Sequence, residues 1–225
     1  MRSFAIAALL LCAPASWAED PEAAPLFNLV TLSAQAEREV HNDTLYATLA
    51  AEAEGTDPAQ LADGVNRSMR RALDLAAQVR SVQARSGGYQ TVPVYDKNRV
   101  ARWRVRQELR LESTEFAAAT ELIGKLQSNL VLAQMAFGVS GATRRQVENA
   151  LIAEALAAFE ERARIARDAL KAKGYRIRDL TVSGGGSIAP RAFASRAMAA
   201  EIAAPALEAG TTRIVMTANG TVQLQ

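Results

Sequence analysis

The chain carries one histidine, His41, and one cysteine, Cys12, which leaves little from which to build a nucleophile–base pair or a nitrogen–sulfur metal site. No Gly-x-Ser-x-Gly elbow accompanies the single possible imidazole base, so a serine triad has no candidate members. His41 sits in the polar stretch His41-Asn42-Asp43, where a solvated turn residue accounts for it. Gly184-Gly185-Gly186 lacks the Lys-Ser/Thr that completes a phosphate loop, and it reads as a flexible or bulged connection. Glu160-Glu161 lies in a charged helical stretch, where a solvated face explains the pair. These residues define no catalytic centre, cofactor site or metal site. An enzyme here would have to use carboxylates, arginines and tyrosines, with Tyr89, Tyr95 and the arginines of residues 102–110 as its first members.

Two features suit binding better. From Val100 to Leu111, Trp103, Val105, Leu109 and Leu111 alternate with Arg102, Arg104, Arg106, Glu108 and Arg110, which gives a strand with one wet, basic face. The arginines Arg102, Arg104, Arg106 and Arg110 would meet an acidic partner or a second subunit, or serve solubility alone. The alanine-rich segment from Ser187 to Ala204 carries Arg191, Phe193 and Arg196 without a clear period. It reads either as an arm that docks on a neighbouring subunit or as a mobile loop.

The N-terminus explains where such a protein would work. Arg2, an apolar run from Phe4 to Leu11 and the small-x-small triplet Ser16-Trp17-Ala18 form the pattern of an export signal cleaved after Ala18. The run is too short to span a bilayer as a permanent helix, and no later run approaches that length. Lipidation at Cys12 is the alternative, but Leu10-Leu11 occupy positions where a lipoprotein signal has small side chains. Cleavage after Ala18 leaves a chain without thiols, suited to an oxidising compartment. It also removes one of 26 basic residues and none of 24 acidic ones, so the net charge falls from +2 to +1. Such a balance does not point to nucleic acid as a partner. The expected organisation is a signal peptide at 1–18, a linker at 19–28 and one domain at 29–225.

Periodicity supplies the elements. Val30, Leu32, Ala34 and Ala36, then Leu45, Ala47, Leu49 and Ala51, alternate on either side of His41-Asn42-Asp43 and read as a hairpin. Asp57 and Pro58 open a helix with a stripe at Leu61, Val65, Met69, Leu73, Ala76 and Val79, which Gly87-Gly88 should end. A second hairpin joins Tyr89–Tyr95 to Val100–Leu111 through Asp96-Lys97-Asn98. Ser113 or Thr114 should cap a shorter helix, followed by a strand from Leu130 to Phe137. From Ala142 to Lys173 a helix rich in alanine would reach roughly 45 Å, long enough to cross a sheet, with Gly174 as its stop. Strands at Tyr175–Val182 and Thr212–Leu224 come last, the second of them with a turn or bulge at Asn219-Gly220. The sum is an α+β fold: a largely antiparallel sheet or sheets, helices packed on one face, and one long helix spanning the sheet.

With that order of elements the chain resembles the SIMPL-domain family of bacterial periplasmic and outer-membrane-associated proteins. The resemblance rests on Asp43 in the family's Pro-Asp position, here Asn42-Asp43, and on Tyr89, Pro93, Tyr95 and Trp103 to Val105 in the paired strands. It continues in the alanines from Ala150 to Ala169 ahead of Lys173-Gly174, and in Pro205, Leu207, Gly210 and Ile214-Val215-Met216 at the end. The resemblance implies an α/β fold, export to the periplasm, assembly of some members into ring-like homo-oligomers, and roles in oxidative-stress defence. It implies no catalytic residues. The expected function is therefore a periplasmic protein that self-assembles or binds an envelope partner, with an enzyme or a pore-forming subunit as alternatives.

Overall fold

A computed structural model describes residues 27–188 and 209–225. Among the described residues ten elements succeed one another. β1 (Leu29–His41) and β2 (Thr44–Gly55) lead to α1 (Pro58–Ala77); β3 (Gln83–Asp96) and β4 (Arg99–Ser113) lead to α2 (Phe116–Leu126). Then come β5 (Val131–Gly138), α3 (Gly141–Ala169), β6 (Tyr175–Ile188) and β7 (Thr211–Leu224). The strands form two wholly antiparallel sheets, one in the order β1-β7-β6 and the other β3-β4-β2-β5. The α+β expectation holds, with the sheet divided in two.

That division corrects the first expected hairpin. β1 and β2 do not pair: β1 runs beside β7 from Leu29↔Gln223 to His41↔Thr211, whereas β2 lies between β4 and β5. Alternation on both sides of a polar turn is common to a hairpin and to a strand that passes from one sheet into another. Only the distant partners distinguish the two.

Each sheet buries one face under helices. Leu45, Ala47, Leu49 and Ala51 of β2 and Val105, Leu109 and Leu111 of β4 are buried against Val65, Met69, Ala72 and Ala76 of α1 and Ala119, Leu122, Ile123 and Leu126 of α2. Asp57 caps α1 by accepting from the amides of Ala59 (2.9 Å) and Gln60 (3.3 Å), with Pro58 in the first turn where no donor is needed. The helix stops at Ala77, short of Gly87-Gly88. Those glycines lie inside β3, at a break in register between Ser86 and Tyr89, where a Cβ on Gly87 would come within 3.0 Å of Glu108. The Lys97-Asn98 turn, by contrast, agrees with expectation: both residues have positive φ, which suits a two-residue hairpin loop. α2 begins after Glu115, whose amide donates to the Ser113 hydroxyl (3.0 Å), so Ser113 closes the corner without being the N-cap.

The second core lies under α3. Val147, Leu151, Ala155, Phe159 and Ala163 recur every four residues and form a narrow buried stripe, whose alanines let the helix approach the sheet closely. Opposite them stand Ala34 of β1 and Ile214, Met216, Ala218 and Val222 of β7. The helix ends at Ala169, before Gly174, because Lys171 takes the left-handed conformation (φ 54°). Asn219-Gly220 is neither turn nor bulge, since β7 pairs with β1 without interruption. Gly220 is required for space: a Cβ there would strike the Asp179 carbonyl and lie 3.1 Å from the Phe159 ring. The irregularity falls instead on β6, between Ile177 and Asp179 and again between Gly185 and Ile188, so the glycine triplet sits in a bulged strand.

Gly220→Ala should therefore destabilise the protein by roughly 2–3 kcal/mol through overpacking. Gly124→Ala, in α2 with open space around the new methyl group, should gain about 0.5–1 kcal/mol of helix propensity. Urea denaturation of the two variants beside the parent checks both signs.

Candidate functional site

Where the chain passes from one sheet to the other, two polar residues tie the link to two distant segments, 138–143 and 209–212. Asn42 is buried; its backbone amide donates to the Gly210 carbonyl (3.0 Å) and its carboxamide nitrogen to the Ala209 carbonyl (2.6 Å), while its oxygen accepts from the Thr212 hydroxyl (2.6 Å). It thus fixes the entry of β7. Gly210 makes the bend with φ 68°, which a glycine adopts without strain.

Asp43 holds the other side. Its amide donates to the Gly138 carbonyl at the end of β5 (3.0 Å). Its carboxylate accepts from the Ser140 amide (2.5 Å), the Ser140 hydroxyl (2.9 Å), the Thr143 hydroxyl (2.6 Å) and the Thr44 hydroxyl (2.9 Å). Ser140 is also the N-cap of α3, accepting from the Thr143 amide (3.2 Å), so the charge rests on the first turn of the longest helix. Burial alone would raise the Asp43 carboxyl. The hydrogen bond from Thr143, together with those from the Ser140 amide, Thr44 and the Ser140 hydroxyl, outweighs it and lowers the carboxyl from 3.8 to about 2. With four protein donors on two oxygens, this carboxylate works as a clamp. The sequence marks it only through the family's acidic position and the Ser140-x-x-Thr143 start of a helix; Ser140 and Thr143 lie about a hundred residues away.

The arginine strand occupies the uncovered face of the four-stranded sheet, and its charge is largely matched. Arg104 meets Glu54 (2.5 Å) and Glu52 (3.3 Å) from β2, Arg106 meets Glu52 (3.1 Å) and Glu108 (3.8 Å), Arg102 reaches Glu54 (3.9 Å), and Arg110 reaches Glu108 (3.5 Å). The cross-strand pairs Glu54↔Arg104 and Glu52↔Arg106 are directly opposite in the β2–β4 register. Three carboxylates thus stand among four guanidinium groups, and the face projects little net field. Alternation along the sequence marks the arginines, but it does not reveal Glu52 and Glu54, because strand pairing is what brings them there.

The tyrosines do not join this strip. Tyr89 is paired with Gln107 and so lies on the opposite face from Arg106, and Tyr95 is 63% exposed near the hairpin tip. An open groove of about 450 Å³ between α1 and the β3–β4 pair is lined by Asp63, Asn66 and Arg70 with Ser86 and Gln107. Tyr46, half-buried on β2, is the tyrosine whose ionisation is resisted, by burial first and then by the negative charge of Glu112; its hydroxyl donates to the Val139 carbonyl (3.4 Å). His41 ends β1 and is exposed. Arg191, Phe193 and Arg196 fall outside the described residues, as do residues 1–26.

The tip of the β3–β4 hairpin reaches beyond the rest of its sheet. The pairing of β4 with β2 ends at Gly55↔Trp103, so residues 99–102 of β4, together with their β3 partners, extend as a two-stranded arm. Tyr95 and Val100 are exposed on that arm and Tyr89 at its base, on one face, while Val92 is exposed on the other face beside Arg104.

Replacing Asp43 by Ala should cost about 2 kcal/mol, because the Ser140 and Thr143 donors lose their shared acceptor. The pH dependence has a definite sign. A carboxyl at about 2 in the folded chain against 3.8 ordinarily favours the folded state above pH 3.8, and that contribution is lost as pH falls through 2. Allowing for solvent at this half-buried position, it amounts to roughly 1–2 kcal/mol. Urea titrations at pH 6 and pH 2 should show the parent losing this increment and Asp43→Asn lacking it.

Comparison with known proteins agrees with the order of elements. Residues 30–222 match the family described as SIMPL, protein of unknown function (DUF541), a span that runs from β1 into β7. No curated protein sequence matches the chain. Since the match covers well over half of the sequence, the chain belongs to the SIMPL (DUF541) family.

Proposed function

We propose that this SIMPL-domain protein is a periplasmic binding and assembly module, not an enzyme, which acts by self-association or by holding an envelope partner in protection against oxidative or envelope stress. The observation that carries this reading is the projecting β3–β4 arm. It exposes Tyr95 and its partner Val100, with Tyr89 at its base on the same face, and an apolar and aromatic patch on a projecting hairpin is a surface suited to another protein. The export pattern at residues 1–18 supports the periplasmic location. A thiol-free chain after cleavage at Ala18 suits an oxidising compartment. No helix among the described residues is long and apolar enough to cross a membrane. The arginine strip stabilises the sheet and keeps it soluble through its own carboxylates, so partner choice rests on the arm more than on long-range charge.

Light scattering with and without detergent, combined with affinity capture from envelope extracts, tests this. The expected result is a mass above that of one chain, or a retained envelope protein that is lost when Tyr95 and Val100 are changed to Ser. A chain that stays monomeric at micromolar concentration and retains no envelope protein overturns the proposal.

A further inference from the structure

The two sheets end in four edge strands, and three of them carry the usual obstacles to pairing with another chain. β1 has Glu37, Arg38 and Glu39; β6 has Arg176, Arg178 and Asp179 together with its bulges; β3 has Arg85, Pro93 and Asp96. Of these β5 has only a bulge, at Ala133, where its register against β2 shifts between Thr48 and Leu49; it has no charged residue and no proline. From Leu126 to Thr143 the chain contains no charged residue and no proline, and the strand Val131–Gly138 reads Val-Leu-Ala-Gln-Met-Ala-Phe-Gly. One side of β5 is hydrogen-bonded to β2, and among the described strands no other lies on its free side.

The side chains of β5 are sorted by face. Phe137, Met135 and Leu132 stand opposite Leu45, Ala47 and Leu49 on the core side, yet all three are only half-buried, so the hydrophobic core is open along this edge. Phe116 covers part of it, with its ring edge-on to Phe137 at 5.1 Å. Ala136, Gln134 and Val131 face the other way, and Val131 is 67% exposed.

We propose that β5 is the edge on which two copies of this chain pair, antiparallel and about a two-fold axis normal to the sheet. This rests on the reading of the chain as a self-associating module and assigns that association a strand. The occupant is indicated by the sequence of the edge itself. A two-fold of this kind leaves each face on its own side, so Leu132, Met135 and Phe137 of one copy extend the apolar surface of the other, while Val131, Gln134 and Ala136 meet their equivalents on the wet face. With no charge on the strand, no register of self-pairing brings like charges together. Two four-stranded sheets thereby become one of about eight strands, which closes an edge that an isolated chain leaves open.

The test is the mass of the protein between about 1 and 100 μM, a range over which an edge-to-edge dimer passes from partial to full association. Val131→Lys combined with Gln134→Lys places charges on the exposed face of the edge, and should raise the dissociation constant at least about tenfold with an unchanged circular dichroism spectrum. The same two lysines at Thr31 and Ser33 of β1 should leave it unaltered. Single cysteines at Ala133, Gln134 and Ala136, each in a Cys12→Ser background, should cross-link two chains at the position nearest the axis and not at Thr31→Cys; they decide the matter if the lysine variant does not fold. Self-association that survives the lysines, with no cross-link on β5, overturns this edge while leaving the self-association reading intact. A parent chain that is monomeric at about 100 μM overturns both self-association and this pairing, and binding of a synthetic peptide of residues 130–139 to that monomer would assign the edge to a foreign strand.

Discussion

Two hydrophobic cores in one chain require a joint that resists shear, and here the joint is Asn42-Asp43. Apolar contacts give little direction, so burial of Leu49 under α1 and of Ala34 under α3 does not by itself fix how one sheet is placed against the other. Hydrogen bonds supply that direction. Asn42 takes hold of the segment entering β7, Asp43 takes hold of the end of β5 and the start of α3, and both are anchored in the backbone that joins β1 to β2. Loosening either residue leaves a donor or acceptor unpaired at a point where three segments meet, and the cost of an unmade bond there exceeds the net value of a bond at the surface. Asp43 does this while charged because the donors around it outweigh its desolvation.

The second core shows how closely the joint constrains the elements after it. Once Ser140 sets the start of α3, the stripe from Val147 to Ala163 has a fixed azimuth, and Phe159 is carried to one place on the sheet. The sheet yields there by having no side chain at all: Gly220 faces the ring, and β6 bends so that the Asp179 carbonyl comes close to the same position. Arg162 and Arg38 then secure the flank of the helix, the former donating to the Ser33 carbonyl and the latter pairing with Glu154 at 2.5 Å. These exposed contacts add little stability, but their positions are dictated by the azimuth.

Local order was legible in the residues. Asp57-Pro58 marks the start of α1, Lys97-Asn98 marks a tight turn, the alternation from Trp103 to Leu111 marks a strand with one wet face, and the four-residue recurrence of apolar side chains marks α3. Each is a signal between residues that are close in sequence. The features that escaped depend on partners that sequence periodicity does not specify. β1 takes β7 as its neighbour across about 180 residues, Glu52 and Glu54 neutralise arginines on a strand about fifty residues away, and Gly87-Gly88 look like a helix stop until Glu108 is seen to crowd Gly87. Asp43 belongs to the same class: a carboxylate in a polar turn is ordinary in sequence, and becomes a clamp only when Ser140 and Thr143 arrive.

The distribution of charge says more about function than its total does. The open face of the four-stranded sheet is ruled by ion pairs that satisfy one another, which keeps that face solvated and discourages stacking against a second sheet. On the same sheet the edge at β5 is left without a single charge, although one lysine would have made it safe. A chain that places six ion contacts on a face and none on the neighbouring edge distinguishes the two surfaces physically: the face is kept in water, and the edge is kept fit for a strand. The β3–β4 arm at the opposite side of that sheet offers a different kind of contact, apolar and projecting. One sheet can therefore engage its own copy along one margin and a different protein along the other without the two contacts competing, which is the arrangement that the proposed assembly role calls for.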